Sequence, residues 1–350
     1  MRQGIGLALG SACLFGASTP LAKLLLGAID PWMAAGLLYL SAGIGLGAYT
    51  LVGHGLALPA REAPLRRADL PWMLAVIVSG GVLGPVLLMA GLARTPAATA
   101  SLLLNLEGLA SMGIAWIVFR ENVDRRLLLG AFAILAGAAI LSWQGNATLD
   151  IGALLVAAAC LCWGIDNNLT RRLSSSDPVQ IAMLKGLCAG SVNVALAVAN
   201  SAALPGPGTI ALAFCIGSLG YGVSIAMFVV ALRHLGAART GAYFSVAPFI
   251  GVLVAVPLLG EALPARLLLA GALMAFGLWL HVSERHEHEH THEALEHEHA
   301  HLHDAHHQHA HDPADPPGAP HTHRHRHVRL THRHPHYPDL HHRHEHTTGT

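Results

Sequence analysis

The string Leu102-Leu103-Leu104-Asn105-Leu106-Glu107-Gly108 sets an amide and a carboxyl two residues apart inside a long apolar run. Glu107 stands ten residues into that run, about 15 Å of helical rise and so near the middle of a hydrocarbon layer. An ionisable group at that depth is costly unless it is paired or hydrated, so it is a candidate site. It could bind a proton or a cation, or contact a basic or amide group of a ligand; the plain alternative is a hydrogen-bonded structural carboxyl. A second constellation is Asp166-Asn167-Asn168 at the end of another apolar run, with Lys185 in the next, about 10 Å deeper. Those opposite charges form either a static ion pair or a ligand site.

The C-terminal 65 residues, 286–350, hold 23 of the chain's 26 histidines. His286, His288, His290 and His292 alternate with acidic residues and threonine, as do His297, His299, His301 and His303 with acidic residues, alanine and leucine. His306, His307, His309 and His311 extend the series to the Asp-Pro-rich stretch that follows. Imidazoles at such spacing converge on one ion, and imidazole suits Ni, Co, Zn and Cu. A second cluster at 321–346 replaces the acids with arginine, which weakens cation binding. The other reading is a pH-sensitive polycation, since histidine titrates near neutrality. So polar a segment is expected to be disordered without metal.

The elements that must position the buried groups follow from composition. The chain of 350 residues is 53% hydrophobic and 12% charged, with two lysines. A soluble domain carries roughly 25% charged residues, so soluble enzymes and nucleic-acid binders are excluded. Apolar stretches near 4–26, 32–53, 72–93, 97–119, 127–144, 150–170, 178–200, 209–232, 240–260 and 265–282 are each long enough to cross a bilayer as a helix. Ser18-Thr19-Pro20 in the first argues that it is retained rather than cleaved as a signal. With the N-terminus inside, twelve basic residues fall at cytoplasmic ends and three (Lys23, Arg94, Arg266) outside, a positive-inside bias that also puts the C-terminus in the cytoplasm. All five cysteines lie within spans and read as small buried hydrophobes. Lys23 and Arg171 read as snorkelling at opposite faces.

The chain repeats itself. LFGASTPLAK (14–23) aligns with CWGIDNNLTR (162–171), DPWMAAGLLYLSAG (30–43) with DPVQIAMLKGLCAG (177–190), and residues 91–121 with 231–261 without a gap, Glu121 over Glu261. Five spans per half is an odd number, so the halves are inverted, as in transporters with a midplane site. Gly43 and Gly47 stand opposite Gly186 and Gly190, and Gly80 and Gly84 opposite Gly220 and Ser224; small residues at this spacing let helices approach closely. Asp166 and Lys185 align with Ser18 and Leu38, so their chemistry is confined to one half.

With FG or WG in the first span of each half, DP before the second, and the turns ENVDRRLLLGAFAILAG and GEALPARLLLAGALMAFG, the chain resembles the EamA family of the drug/metabolite transporter superfamily over residues 4–282. The resemblance implies an all-α membrane protein of ten helices, a first repeat at 1–145, a second at 150–283 and an appended tail at 284–350. It implies alternating access and export or exchange of a small molecule across the cytoplasmic membrane. With no phosphate-cradling glycine loop and no Ser/His/Asp constellation in the sequence, no enzymatic activity and no required cofactor are expected. By the same resemblance Trp163, Tyr221 and Tyr243 border a central cavity, beside Glu107, Asn105, Asp166, Asn167, Lys185 and Ser18 as substrate-binding candidates. The expected partners are the lipid bilayer, a small metabolite or metal species, divalent metal on the tail, and a second copy of the chain. A metal-buffering or metal-sensing protein whose body moves an unrelated metabolite, or little, is the competing expectation.

Overall fold

The computed structural model describes residues 2–55, 65–119, 125–143, 149–173, 176–235 and 237–283, and the backbone of four short tail segments. Ten helices are long and apolar enough to cross a membrane. They are α1 (Gln3–Leu26), α2 (Pro31–Val52), α3 (Arg67–Leu92), α4 (Ala97–Val118), α5 (Arg125–Ser142), α6 (Ile151–Thr170), α7 (Pro178–Ala199), α8 (Pro207–Ala231), α9 (Thr240–Leu259) and α10 (Ala265–Val282). The expected third span starts five residues early, at Arg67, where a short 3-10 turn leads into the helix. The surface is apolar where lipid would lie: Ile117, Phe132, Leu253 and Leu268 are all well exposed. Cys160 is buried, but Cys13, Cys188 and Cys215 are exposed on that surface, a correction to the reading of all five as buried.

The inversion of the halves appears in the helix pairs. α2 packs on α7, α5 on α10, α1 on α9 and α6 on α4. Small residues make the close crossings. A Cβ on Gly186 would lie 2.8 Å from the Tyr39 carbonyl oxygen and the Gly43 nitrogen, and one on Gly43 would lie 2.6 Å from the Leu187 nitrogen. Ser11 and Ser224 exchange hydrogen bonds between α1 and α8.

Irregularities fall at matching places in the two halves. α3 and α8 each contain a π-helical segment, Ile77–Leu83 and Ser218–Val223. α4 breaks between Leu103 and Leu106, α9 between Phe244 and Ala247, and the gapless internal alignment brings the two breaks within one residue of each other. At each, a side chain bonds the carbonyl three residues back: Asn105 Nδ2 donates to Leu102 O (2.8 Å) and Ser245 Oγ to Ala242 O (2.6 Å). Such local bonds compete with the helix ladder. In α9, Pro248 adds a missing N–H just after the break.

Four extended segments lie in the tail that was expected to be disordered: β1 (His286–His292), β2 (Glu296–His301), β3 (His321–Arg326) and β4 (Leu330–His336). β1 pairs antiparallel with β4 and β2 with β3. The His-x-His alternation has the period of a strand. A two-stranded ladder alone is marginal in water, so these pairs do not amount to a third folded domain. His306, His307, His309 and His311 lie outside the described residues, as do the side chains of His286, His288, His290, His292, His297, His299, His301 and His303.

Candidate functional site

A cavity of about 210 Å³ opens among α2, α6, α7 and α8. Its polar wall is Asp166, Asn167, Thr170, Lys185, Tyr39 and Tyr221. Lys185 Nζ bonds Asp166 Oδ2 directly; the Asp166 side chain is 5% exposed and that of Lys185 19%. Thr170 Oγ1 donates to the other oxygen, Asp166 Oδ1, at 3.3 Å. In so dry a place each charge needs the other.

Pro85 explains how the neighbouring wall is built. Within the π-helical segment the Gly84 N–H goes to Ser79 O, five residues back. Pro85 has no N–H to give to Gly80 O in a π register or to Gly81 O in an α register. Other helices supply those donors. Tyr39 Oη and Trp163 Nε1 each donate to Gly80 O at 3.0 Å, and Asn193 Nδ2 donates to Gly81 O at 3.2 Å. Three elements, α2, α6 and α7, are thereby pinned to one turn of α3. The absence of a side chain at Gly80 is needed too, because a Cβ there would overlap Asp166 Oδ2.

Glu107 sits in the first turn after the α4 break. Asn167 Nδ2 donates to Glu107 Oε1 and to Ser111 Oγ, both at 3.0 Å, while Asn168 Nδ2 donates to Ser111 O at 3.0 Å and Gly164 O at 2.8 Å. The two asparagines lock α6 to α4. A run of ring contacts crosses the centre: Phe228–Phe244 (5.0 Å), Phe244–Phe15 (5.3 Å), Phe15–Tyr221 (5.7 Å) and Tyr221–Tyr39 (5.8 Å).

The opposite end of the bundle is joined by hydrogen bonds between its turns. Leu46, Thr170, Pro178 and Ile225 put the cavity toward the end where both termini of the ten-helix body lie. At the other end Lys23 Nζ donates to Thr95 O, and Glu261 accepts from Ala97 N (2.6 Å) and Ala98 N (2.8 Å). Thr95 is 1% exposed, and its hydroxyl reaches Asp150 Oδ1 at 3.4 Å. Lys23 therefore does not snorkel; it closes a latch joining α1, the α3–α4 turn and the α9–α10 turn. The Arg171 side chain lies outside the described residues.

The sequence model of the EamA-like transporter family matches this chain twice, at 2–143 and 150–283. The chain belongs to the EamA-like transporter family. It is 28% identical over 282 residues to an uncharacterized transporter of Methanothermobacter thermautotrophicus, covering 76% of this chain and 82% of that one. It is 27% identical to a protein of Streptantibioticus cattleyicolor named "Probable terminal-alkyne amino-acid exporter" (68% and 83% covered). To a Salmonella typhimurium protein named "Probable amino-acid metabolite efflux pump" it is 25% identical (53% and 68% covered). A crystal structure 20% identical in sequence shares the fold, with a TM-score of 0.58 over 80% of this chain and 96% of that one.

Of the residues singled out in this EamA-like transporter, Asp166, Asn167, Lys185 and Tyr221 meet at the cavity, and Glu107 adjoins it through Asn167. Trp163 stands behind the wall on Gly80 O. Three do not line the cavity. Asn105 is spent on the α4 break, with its amide on Leu102 O and near Met274 Sδ (4.0 Å). Ser18 donates to its own helix at Phe15 O (2.6 Å) and is hydrogen-bonded by the cavity residue Tyr221, and Tyr243, on α9, is partly exposed. Tyr39 escaped sequence reasoning, since a tyrosine in a span reads as packing; the signal that could have found its partner is Pro85, a proline in mid-span that must leave carbonyls seeking donors.

Proposed function

We propose that the body exports a small organic zwitterion of the amino-acid class by alternating access, and that its termini are cytoplasmic. The single observation that carries this is the pairing of Asp166 with Lys185 in the wall of a 210 Å³ cavity. A cargo ammonium takes Asp166, a cargo carboxylate takes Lys185, and the resident ion pair opens to admit both. Each charge-assisted bond is worth about 1.5–3 kcal/mol, a factor of roughly 10–150 in affinity. Two relatives named "Probable terminal-alkyne amino-acid exporter" and "Probable amino-acid metabolite efflux pump" support this reading. The latch at the far end and the cavity at the near end correspond to a state open toward the termini. Among the described residues no three His, Cys, Asp or Glu side chains group to hold a metal, which favours an organic cargo over a metal ion.

The test is counterflow into proteoliposomes of the full chain, using each of the twenty radiolabelled amino acids. Uptake of at least one, lost in Lys185→Met and in Asp166→Asn, is the expected result; uptake of none overturns the reading. The tail is proposed to bind Ni, Co, Zn or Cu through its histidines, on the sequence pattern alone. It lies outside the family match, which ends at 283. Equilibrium dialysis of the full chain against a chain ending at Arg285 decides it, because equal metal content in the two removes the tail from metal binding.

A further inference from the structure

By sequence the tail holds two histidine clusters, one interleaved with acids and the other with arginine. The pairing of the strands joins the two. β1 lies antiparallel to β4 and β2 to β3. Both ladders keep one register, because the three residues between β1 and β2 (293–295) are matched by three between β3 and β4 (327–329). In that register histidine falls opposite histidine. His286, His288 and His290 stand across from His336, His334 and His332 in the first ladder. His297, His299 and His301 stand across from His325, His323 and His321 in the second. The positions between them are matched too: Glu289 is opposite Arg333, Glu296 opposite Arg326 and Glu298 opposite Arg324. No histidine in either ladder stands opposite a glutamate or an arginine. A strand alternates its residues between two faces, so each ladder has a histidine face and a face that carries glutamate and arginine.

We propose that the two clusters form one divalent-metal module, in which two neighbouring His–His pairs supply four imidazoles to an ion while the glutamate–arginine face sets the pairing of the strands. The inference rests on the reading of the tail as a metal binder. Residues directly opposite in an antiparallel pair have Cβ atoms about 4.5–5.5 Å apart, and positions two apart on one strand are separated by about 6.5–7 Å. Four imidazoles at the corners of such a patch can close on one ion at the Zn–N length of about 2.0–2.1 Å. The three pairs of each ladder give one such set with a pair to spare.

The donors are all nitrogen, because the carboxylates belong to the other face. That set selects zinc or copper(II) over magnesium and calcium, which take oxygen. The arrangement also gives the arginines a purpose. Within its own strand a guanidinium among histidines opposes a cation; across from a glutamate it cancels a charge and steadies the pair. A two-stranded ladder alone is marginal in water. The ion supplies what the ladder lacks, so that metal binding and strand pairing are one event.

The test is zinc binding by the full chain in detergent, titrated against a chromophoric chelator, together with amide hydrogen exchange of residues 286–301 and 321–336. Zinc should slow exchange in both segments at the same concentration, and magnesium and calcium in neither. Charge reversal separates one paired module from two independent clusters. Arg324→Glu, Arg326→Glu and Arg333→Glu together remove three positive charges, so independent clusters would bind zinc more tightly afterwards. In the paired tail the same change sets like charges opposite each other and should weaken binding about tenfold. Adding Glu289→Arg, Glu296→Arg and Glu298→Arg restores three opposite-charge pairs and should return the affinity to near the wild-type value. Tighter or unchanged binding in the arginine variant, or protection of one segment without the other, overturns the pairing and leaves the tail a metal binder. If the full chain takes up no more zinc than a chain ending at Arg285, the reading of the tail as a metal binder fails and the module with it.

Discussion

Removing Asp166 alone strands the Lys185 ammonium in a nearly dry wall, and removing Lys185 alone strands the carboxylate. Breaking one side of a buried pair costs about 3–5 kcal/mol, whereas replacing both members by uncharged groups is often neutral. Thermal unfolding of detergent-purified protein should therefore show Asp166→Asn and Lys185→Met each clearly destabilised, with the double variant close to wild type. Transport should be lost in all three. A double variant no more stable than the singles would mean that the two charges do not serve each other. These two residues were legible because a charge in an apolar run is rare. Tyr39 was not, because nothing local distinguishes a site tyrosine from a packed one.

At the scale of the helix, Pro85 withholds one N–H from the turn of α3 where donors from α2, α6 and α7 bond Gly80 O and Gly81 O. Pro85→Ala restores an N–H at that place. The expected outcome is a gain of about 1 kcal/mol in stability from the recovered backbone bond, with a fall in transport as Tyr39 and Trp163 lose their common acceptor; unchanged turnover would remove the π segment from the mechanism. Close crossings respond differently. Gly186→Ala drives a methyl into the backbone of α2 and should cost about 1–3 kcal/mol in the same unfolding assay, with Gly108→Ala, where a Cβ meets nothing within 4 Å, as its silent counterpart. The existence of the spans and the halving of the chain were legible from hydropathy and from the internal repeat. The breaks were not: in α4 an asparagine makes the break that a proline adjoins in α9, and neither sequence announces it alone.

For the molecule as a whole, the repeat supplies matched mechanics and unmatched chemistry. Both halves carry a π segment and a broken helix, while only the second carries Asp166 and Lys185, whose counterparts are Ser18 and Leu38. A chain ending at Arg285 should keep its thermal midpoint, since the family match ends at 283 and the paired tail strands are marginal on their own. A drop in midpoint would show that the tail braces the bundle. Fusion of a reporter active only in the cytoplasm to residue 350 tests the orientation that the arginine bias predicts, with a silent reporter as the contrary result.

The latch at the far end has a property of a different kind. Lys23 grips the main-chain oxygen of residue 95, and Glu261 grips the main-chain nitrogens of residues 97 and 98. Every residue type offers the oxygen, and every type except proline the nitrogen. The latch therefore asks nothing of the side chains at 95, 97 and 98, which are confined by burial instead: Thr95 and Ala98 are 1% exposed and Ala97 0%. The only side chains on which the latch depends are those of the lysine and the glutamate that hold it.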